Sequence, residues 1–122
     1  MELKREMQND AIILLDGQTP VFEMRETEQD GKVCLTLIGK MPSDVVHDFQ
    51  DELAALITLG MRLDLDFREV TYLSKACEQA LLSTQQQIDR LGKGELILRN
   101  LPEAITAQLK QTGMYETLMI ED

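Results

Sequence analysis

The chain has no tryptophan, and its 122 residues include only three phenylalanines, two tyrosines and three prolines. So few aromatics leave no stacking platform for bases or sugars. Histidine occurs once, at His47, and cysteine twice, at Cys34 and Cys77. His47 and Asp51 share one face of a predicted helix, but a zinc site needs three or four His, Cys or carboxylate ligands, so no metal and no cofactor is expected. The cysteines lack CxxC spacing and make neither a redox motif nor a disulfide framework, which fits a reducing, cytoplasmic compartment. No apolar stretch approaches the ~20 residues of a membrane span, so no direct membrane insertion is expected. Met1–Asp10 is charged, lacks the apolar run of a signal peptide and reads as a tail, leaving 11–122 as a single domain.

Basic residues are also scarce. Twelve Lys and Arg stand against 22 Asp and Glu, for a formal charge of −10, and the cations are scattered. Phosphate contacts need a basic surface, so nucleic acid is disfavoured, whereas an acidic surface favours a basic partner. The glycines are spread over loops and form neither a dinucleotide fingerprint nor a P-loop. Gly92-Lys93-Gly94 follows a helix and precedes a strand, the reverse of a phosphate-binding loop.

What the sequence does contain is an organising segment, Met61–Leu91. Met61, Leu63, Leu65 and Phe67 alternate with Arg62, Asp64 and Asp66, the period of two that a strand imposes. Arg68–Leu73 reads as a tight turn, and Ser74 as the N-cap of a helix along which Ala76, Cys77, Ala80, Leu81, Thr84, Ile88 and Leu91 fall at roughly helical spacing. A strand ending just before a helix N-terminus is where open α/β proteins place functional groups, which points to Asp66 and Ser74–Cys77. Asp66 either caps the following turn or joins a recognition surface.

The remaining elements follow from punctuation. Ala11–Leu15 is an apolar run that periodicity assigns to neither strand nor helix. Val21–Thr27 and Lys32–Gly39 read as strands joined by a hairpin turn at Gln29-Asp30-Gly31. Both faces of Lys32–Gly39 are fairly apolar, the pattern of a strand in a covered sheet. Gly39–Pro42 breaks that strand, and Ser43 caps a helix with Val45, Val46, Phe49, Leu53, Leu56 and Ile57 in its stripe. Glu95–Leu98 is a short strand. Asn100 caps a third helix that buries Ile105 and Leu109 and ends at Gly113, and a last strand lies near Thr117–Ile120. The order β-β-α-β-α-β-α-β implies an α/β fold: a mixed, largely parallel sheet with an N-terminal antiparallel hairpin and helices packed on it.

The central segment resembles a STAS domain, the family that includes the bacterial anti-anti-sigma factors. The resemblance is carried by Leu63-Asp64-Leu65-Asp66, the apolar pair Tyr72-Leu73 and the helix with Ala80-Leu81-Leu82. The flanks Leu35–Gly39, Gly94–Leu98 and Leu109–Met114 fit as well, so it runs from about Val21 to Ile120. It implies a STAS-like sheet and a non-enzymatic protein–protein interaction module acting as an anti-sigma factor antagonist. The implied partner is an anti-sigma factor or serine kinase-like protein, bound through Asp66, Tyr72, Leu73, Ser74, Lys75, Ala76 and Cys77.

Counting back from Ala80 without a gap, Ser74, Lys75, Ala76 and Cys77 stand where the family carries Asp-Ser-Ser-Gly, whose second Ser accepts phosphate from a partner kinase. Ala76 has no hydroxyl, so the usual serine phosphoswitch is lost. A slip of the alignment moves the modification to Ser74 or Thr71. The resemblance also admits a STAS-like sensor of a nucleotide or lipid, or an accessory subunit of a transporter or stress-signalling complex. An enzyme using Cys77 or Asp66 has least support, and the oligomeric state is not specified by the sequence.

Overall fold

The computed structural model describes residues 2–121. Seven strands form one sheet in the order β1-β2-β3-β4-β5-β6-β7, with no reversal. The strands are β1 (Lys4–Gln8), β2 (Ala11–Asp16), β3 (Thr19–Gln29), β4 (Lys32–Met41), β5 (Arg62–Leu73), β6 (Glu95–Arg99) and β7 (Met119–Glu121). Ladders from β1 to β4 are antiparallel and those from β4 to β7 are parallel. The parallel half is built by α1 (Val46–Ile57), α2 (Lys75–Leu91), α3 (Glu103–Thr112) and the single turn α4 (Met114–Thr117). This is the mixed α/β fold that the element order implies.

Because the strand order advances one way throughout, right-handed crossovers carry α1, α2 and α3 over the same face. One row from each of the five strands β2 to β6, with Ile120 of β7 at the margin, packs there against the helical stripes. Leu35, Leu65, Leu98, Phe49, Leu53, Leu81 and Leu109 are fully buried. The other face has no helical layer. There Ala11, Ile13 and Leu15 form a small separate cluster, and Cys34, Thr36 and Ile38 are half-buried. The apolar second row of β4 therefore marks partial cover, not a second helical layer.

Several local expectations change. Lys4–Gln8, read from sequence as a tail, is an edge strand paired in register with β2 from Lys4↔Leu15 to Gln8↔Ala11. Ala11–Leu15 is a strand paired with β1 on one side and β3 on the other, with Ile12 and Leu14 in the main core and Ala11, Ile13 and Leu15 in the small cluster on the opposite face. Ser43 begins a 3-10 turn (Ser43–Val45) that leads into α1, and no side chain caps this end. Asn100 caps nothing: its backbone is left-handed (φ 55°), and Pro102 takes the N-cap position of α3. Gly113 ends α3 in the left-handed conformation that glycine adopts without steric cost.

Candidate binding edge at the end of β5

Beyond its last pair with β6, Asp66↔Arg99, β5 continues to Leu73 paired with β4 alone. Residues 68–73 are therefore strand, not a tight turn. The β4–β5 register shifts twice along this extension, between Thr36 and Ile38 and between Gly39 and Lys40. Gly39 makes the distortion feasible. Its φ is +104°, and a Cβ there would collide with the Val21 carbonyl oxygen. So Gly39 does not end the strand but lets β4 bend and follow β5 to Met41.

At the end of β5 the chain enters α2. The Ser74 N–H donates to the Met41 carbonyl oxygen at 2.9 Å, and its own Oγ accepts from the Cys77 N–H at 3.3 Å. Ser74 is thus a true N-cap, satisfying one of the helix's free donors. That role leaves it only 7% exposed. Leu73 and Cys77 are buried beneath it. The Cys77 thiol donates to the Pro42 carbonyl at 3.7 Å, and burial pushes its pKa up against a smaller opposing effect of Ser74. A thiol so placed is held in its neutral form and is a poor nucleophile. Outward from this base stand Tyr72, half exposed, and Lys75, with Ala76 partly exposed between. Thr71 is exposed, and its Oγ1 donates to the Gly39 carbonyl at 3.4 Å.

Asp66 stands apart from this edge. It lies where β6 leaves β5, and its Oδ1 accepts from the Arg68 N–H at 3.0 Å and from Asn100 Nδ2 at 3.1 Å. These bonds fix the first step of the extension and the loop into α3. The expected constellation therefore divides into a strand-crossing clamp at Asp66 and an edge from Tyr72 to Cys77.

Three residues that sequence reading passes over support the edge from behind. Glu78 is 1% exposed, and its carboxylate accepts from Gln108 Nε2 at 3.0 Å and from Thr112 Oγ1 at 3.3 Å. Gln108 Nε2 also donates to the Leu73 carbonyl at 2.8 Å. One α3 amide thus bridges the end of β5 and the first turn of α2. The available signal was an acid inside the apolar stripe of α2, next to Cys77 and ahead of Ala80-Leu81.

A second charged cluster sits on the helix-free face. Asp64 is 2% exposed and accepts from Arg62 Nε at 2.6 Å and Arg99 Nη1 at 3.2 Å, with Lys32 Nζ at 3.8 Å. Arg62 also binds Glu121 at 3.0 Å. Burial raises the Asp64 carboxyl, but the bonds from Arg62 and Arg99 outweigh it and hold the group below the ordinary value. The cluster ties β4, β5, β6 and β7 together, reaching from the Lys32–Arg62 end of their shared register to Arg99 and Glu121.

Among the described residues no group of three His, Cys, Asp or Glu is set to hold a metal, and His47 is exposed on α1. Among the described residues, clefts of about 240 to 490 Å³ lie on other parts of the surface, and Asp66 and Tyr72–Cys77 line none of these. No helix among the described residues is long and apolar enough to cross a membrane.

A one-sided mixed sheet with a long central strand entering a capped helix is an architecture with known relatives. A family model described as "Mlab, STAS domain" matches residues 24–121, and the chain belongs to that STAS family. No curated protein matches it in sequence. Among solved structures it is similar to an anti-sigma factor antagonist from Mycobacterium paratuberculosis, with a TM-score of 0.69 at 15% identity over 81% of this chain and 84% of that one. The anti-sigma factor antagonist SpoIIAA in its unphosphorylated form aligns at a TM-score of 0.66 and 12% identity, over 81% and 88% of the two chains. Its phosphorylated form, from Bacillus, gives 0.62 at 13% identity, over 81% and 91%. At these identities the likeness is one of fold.

Proposed function

We propose that this chain is a non-enzymatic STAS interaction module that engages a protein partner through Tyr72, Lys75 and Ala76. Leu73, Ser74 and Cys77 form the base of that edge. The single observation that carries this reading is the rigidity of the base. Backbone groups at Leu73 and Ser74 are tied to α3 and β4 by bonds of 2.8 and 2.9 Å, so the outward residues are held before any partner arrives. An edge ordered in advance loses less conformational entropy on binding.

The partner class is an anti-sigma factor or serine kinase-like protein, in keeping with solved neighbours that are named anti-sigma factor antagonists. Binding is constitutive with respect to position 76, because Ala76 offers no hydroxyl. Ser74 has its hydroxyl committed to the helix cap and is 7% exposed, so of the two alternative acceptors Thr71 is the accessible one. Asp66 contributes by fixing the strand rather than by contact.

The test is an affinity pull-down from native lysate, read by mass spectrometry, with wild type beside Tyr72→Ala and Lys75→Glu. A definite protein should co-purify with wild type and be lost or strongly depleted with either variant, while both variants keep the wild-type melting temperature. Stoichiometric phosphate at Ser74, or a partner retained by both variants, would overturn the reading.

A further inference from the structure

The sheet outruns its helices at the β1 end. Only the strands from β4 onward are joined through helices, so the layer thins out over β1 and β2. On that side Met7, Ile12 and Met24 stand directly opposite one another across three strands. Met24 is covered, Ile12 nearly so, and Met7 is 65% exposed, the most exposed large apolar side chain among the described residues. Above this row lies a cleft of about 240 Å³, walled by Arg5, Asp10 and Glu26, with Glu52 reaching in from α1.

The charges of the cleft do not cancel. Asp10, Glu26 and Glu52 line it against one cation, Arg5, which donates from Nη1 to Asp48 on α1 at 3.3 Å. The Glu52 carboxyl is pushed above its ordinary value by burial and by Glu26 beside it. The site therefore pairs an apolar floor with carboxylates that repel each other. An apolar occupant would desolvate those carboxylates without bonding them, and an anionic one would add to the repulsion. A lysine or arginine side chain suits both parts, its stem lying on Met7, Ile12 and Met24 and its head reaching Glu26 and Glu52.

We propose that this cleft is a second docking surface, separate from the β5–α2 edge, that receives a lysine- or arginine-bearing segment of a protein partner. The probe is an acetylated, amidated six-residue peptide of alternating lysine and leucine, titrated into the full chain carrying labelled methionine and isoleucine methyls. Saturable shifts of the Met7, Met24 and Ile12 methyl signals are expected. Replacing Glu26→Gln together with Glu52→Gln should weaken the apparent affinity about tenfold, the scale of two lost charge contacts at a partly exposed site. Removing the same charge elsewhere, with Glu103→Gln and Glu116→Gln, should leave it within about twofold. Met7→Ser, at a position too exposed to affect folding, should weaken it about threefold through lost apolar contact. Absent or non-saturable shifts, or equal losses from the two paired variants, would overturn the proposal by showing only general attraction to an acidic protein.

Discussion

Gln108 Nε2 on α3 donates at once to the Leu73 carbonyl at 2.8 Å and to the Glu78 carboxylate at 3.0 Å. Among the described residues no ion pair includes Glu78, so a buried carboxylate depends on neutral donors from Gln108 and Thr112. Removing Gln108 takes one of two donors from the buried Glu78 carboxylate and strips the Leu73 carbonyl of its side-chain bond. Gln108→Leu is expected to cost about 2–3 kcal/mol in urea unfolding. Glu78→Gln keeps an acceptor for Gln108 and an amide for the Thr112 hydroxyl, and should cost about 1 kcal/mol or less. Equal losses for the two variants would contradict this account.

The Asp64 cluster gives a signed dependence on pH. Its carboxyl is depressed in the folded chain, because the bonds from Arg62 and Arg99 outweigh burial. A depressed folded value means the group adds stability above its unfolded pKa, about 3.9, and that this stability fades as pH falls through the folded value. Asp64→Asn should therefore destabilise the chain at pH 7 by about 2 kcal/mol, the scale of lost bonds to a charged group. The gap between variant and wild type should narrow below about pH 4. Urea midpoints between pH 7 and 2 check both; a gap independent of pH would disprove the assignment.

Gly39 has a demand that no other residue meets. With φ at +104° and the Val21 carbonyl where a Cβ would go, Gly39→Ala must shift backbone. A loss of more than about 2 kcal/mol in thermal unfolding is expected, well above an ordinary glycine-to-alanine change. Gly17, with open space around its Cβ position, should tolerate alanine better.

The N-cap at Ser74 is worth about 1 kcal/mol, so Ser74→Ala should lower stability by that amount and Ser74→Asp by less. Differential scanning fluorimetry with an extrinsic dye reads the difference. A Ser74→Ala protein as stable as wild type would show that the 3.3 Å bond to Cys77 carries little.

Thiol reactivity separates the two cysteines. Burial raises both, but Cys77 is buried and Cys34 only half-buried on the helix-free face. In the native chain at neutral pH, Cys34 should label with a thiol reagent well before Cys77, and both more slowly than a free thiol. Rapid labelling of Cys77 would revive the enzymatic reading.

Much of this fold is legible from periodicity. The stripe Val45, Phe49, Leu53, Leu56 and Ile57 is buried as its spacing implies, and so are Leu63, Leu65 and Phe67 along β5. What periodicity misses is long-range. Lys4–Gln8 has every side chain exposed, so its strand identity comes from pairing with β2 and leaves no mark in its hydropathy. Residues 68–73 look irregular because the bulges against β4 break the alternation. At the site, Ser74 as cap is legible from its residue type and position. Gln108 and Thr112 are not, because the reason for them is Glu78, which lies far away in sequence.

The unreversed strand order also has a kinetic consequence. Every ladder in the sheet joins strands that are neighbours in sequence, three through hairpin turns and three through a helical crossover. No strand must wait for a distant partner, so chain closure is always between adjacent units and contact order stays low for a sheet of this width. The edges β1 and β7, each paired on one side only, are the strands expected to fray first in hydrogen exchange.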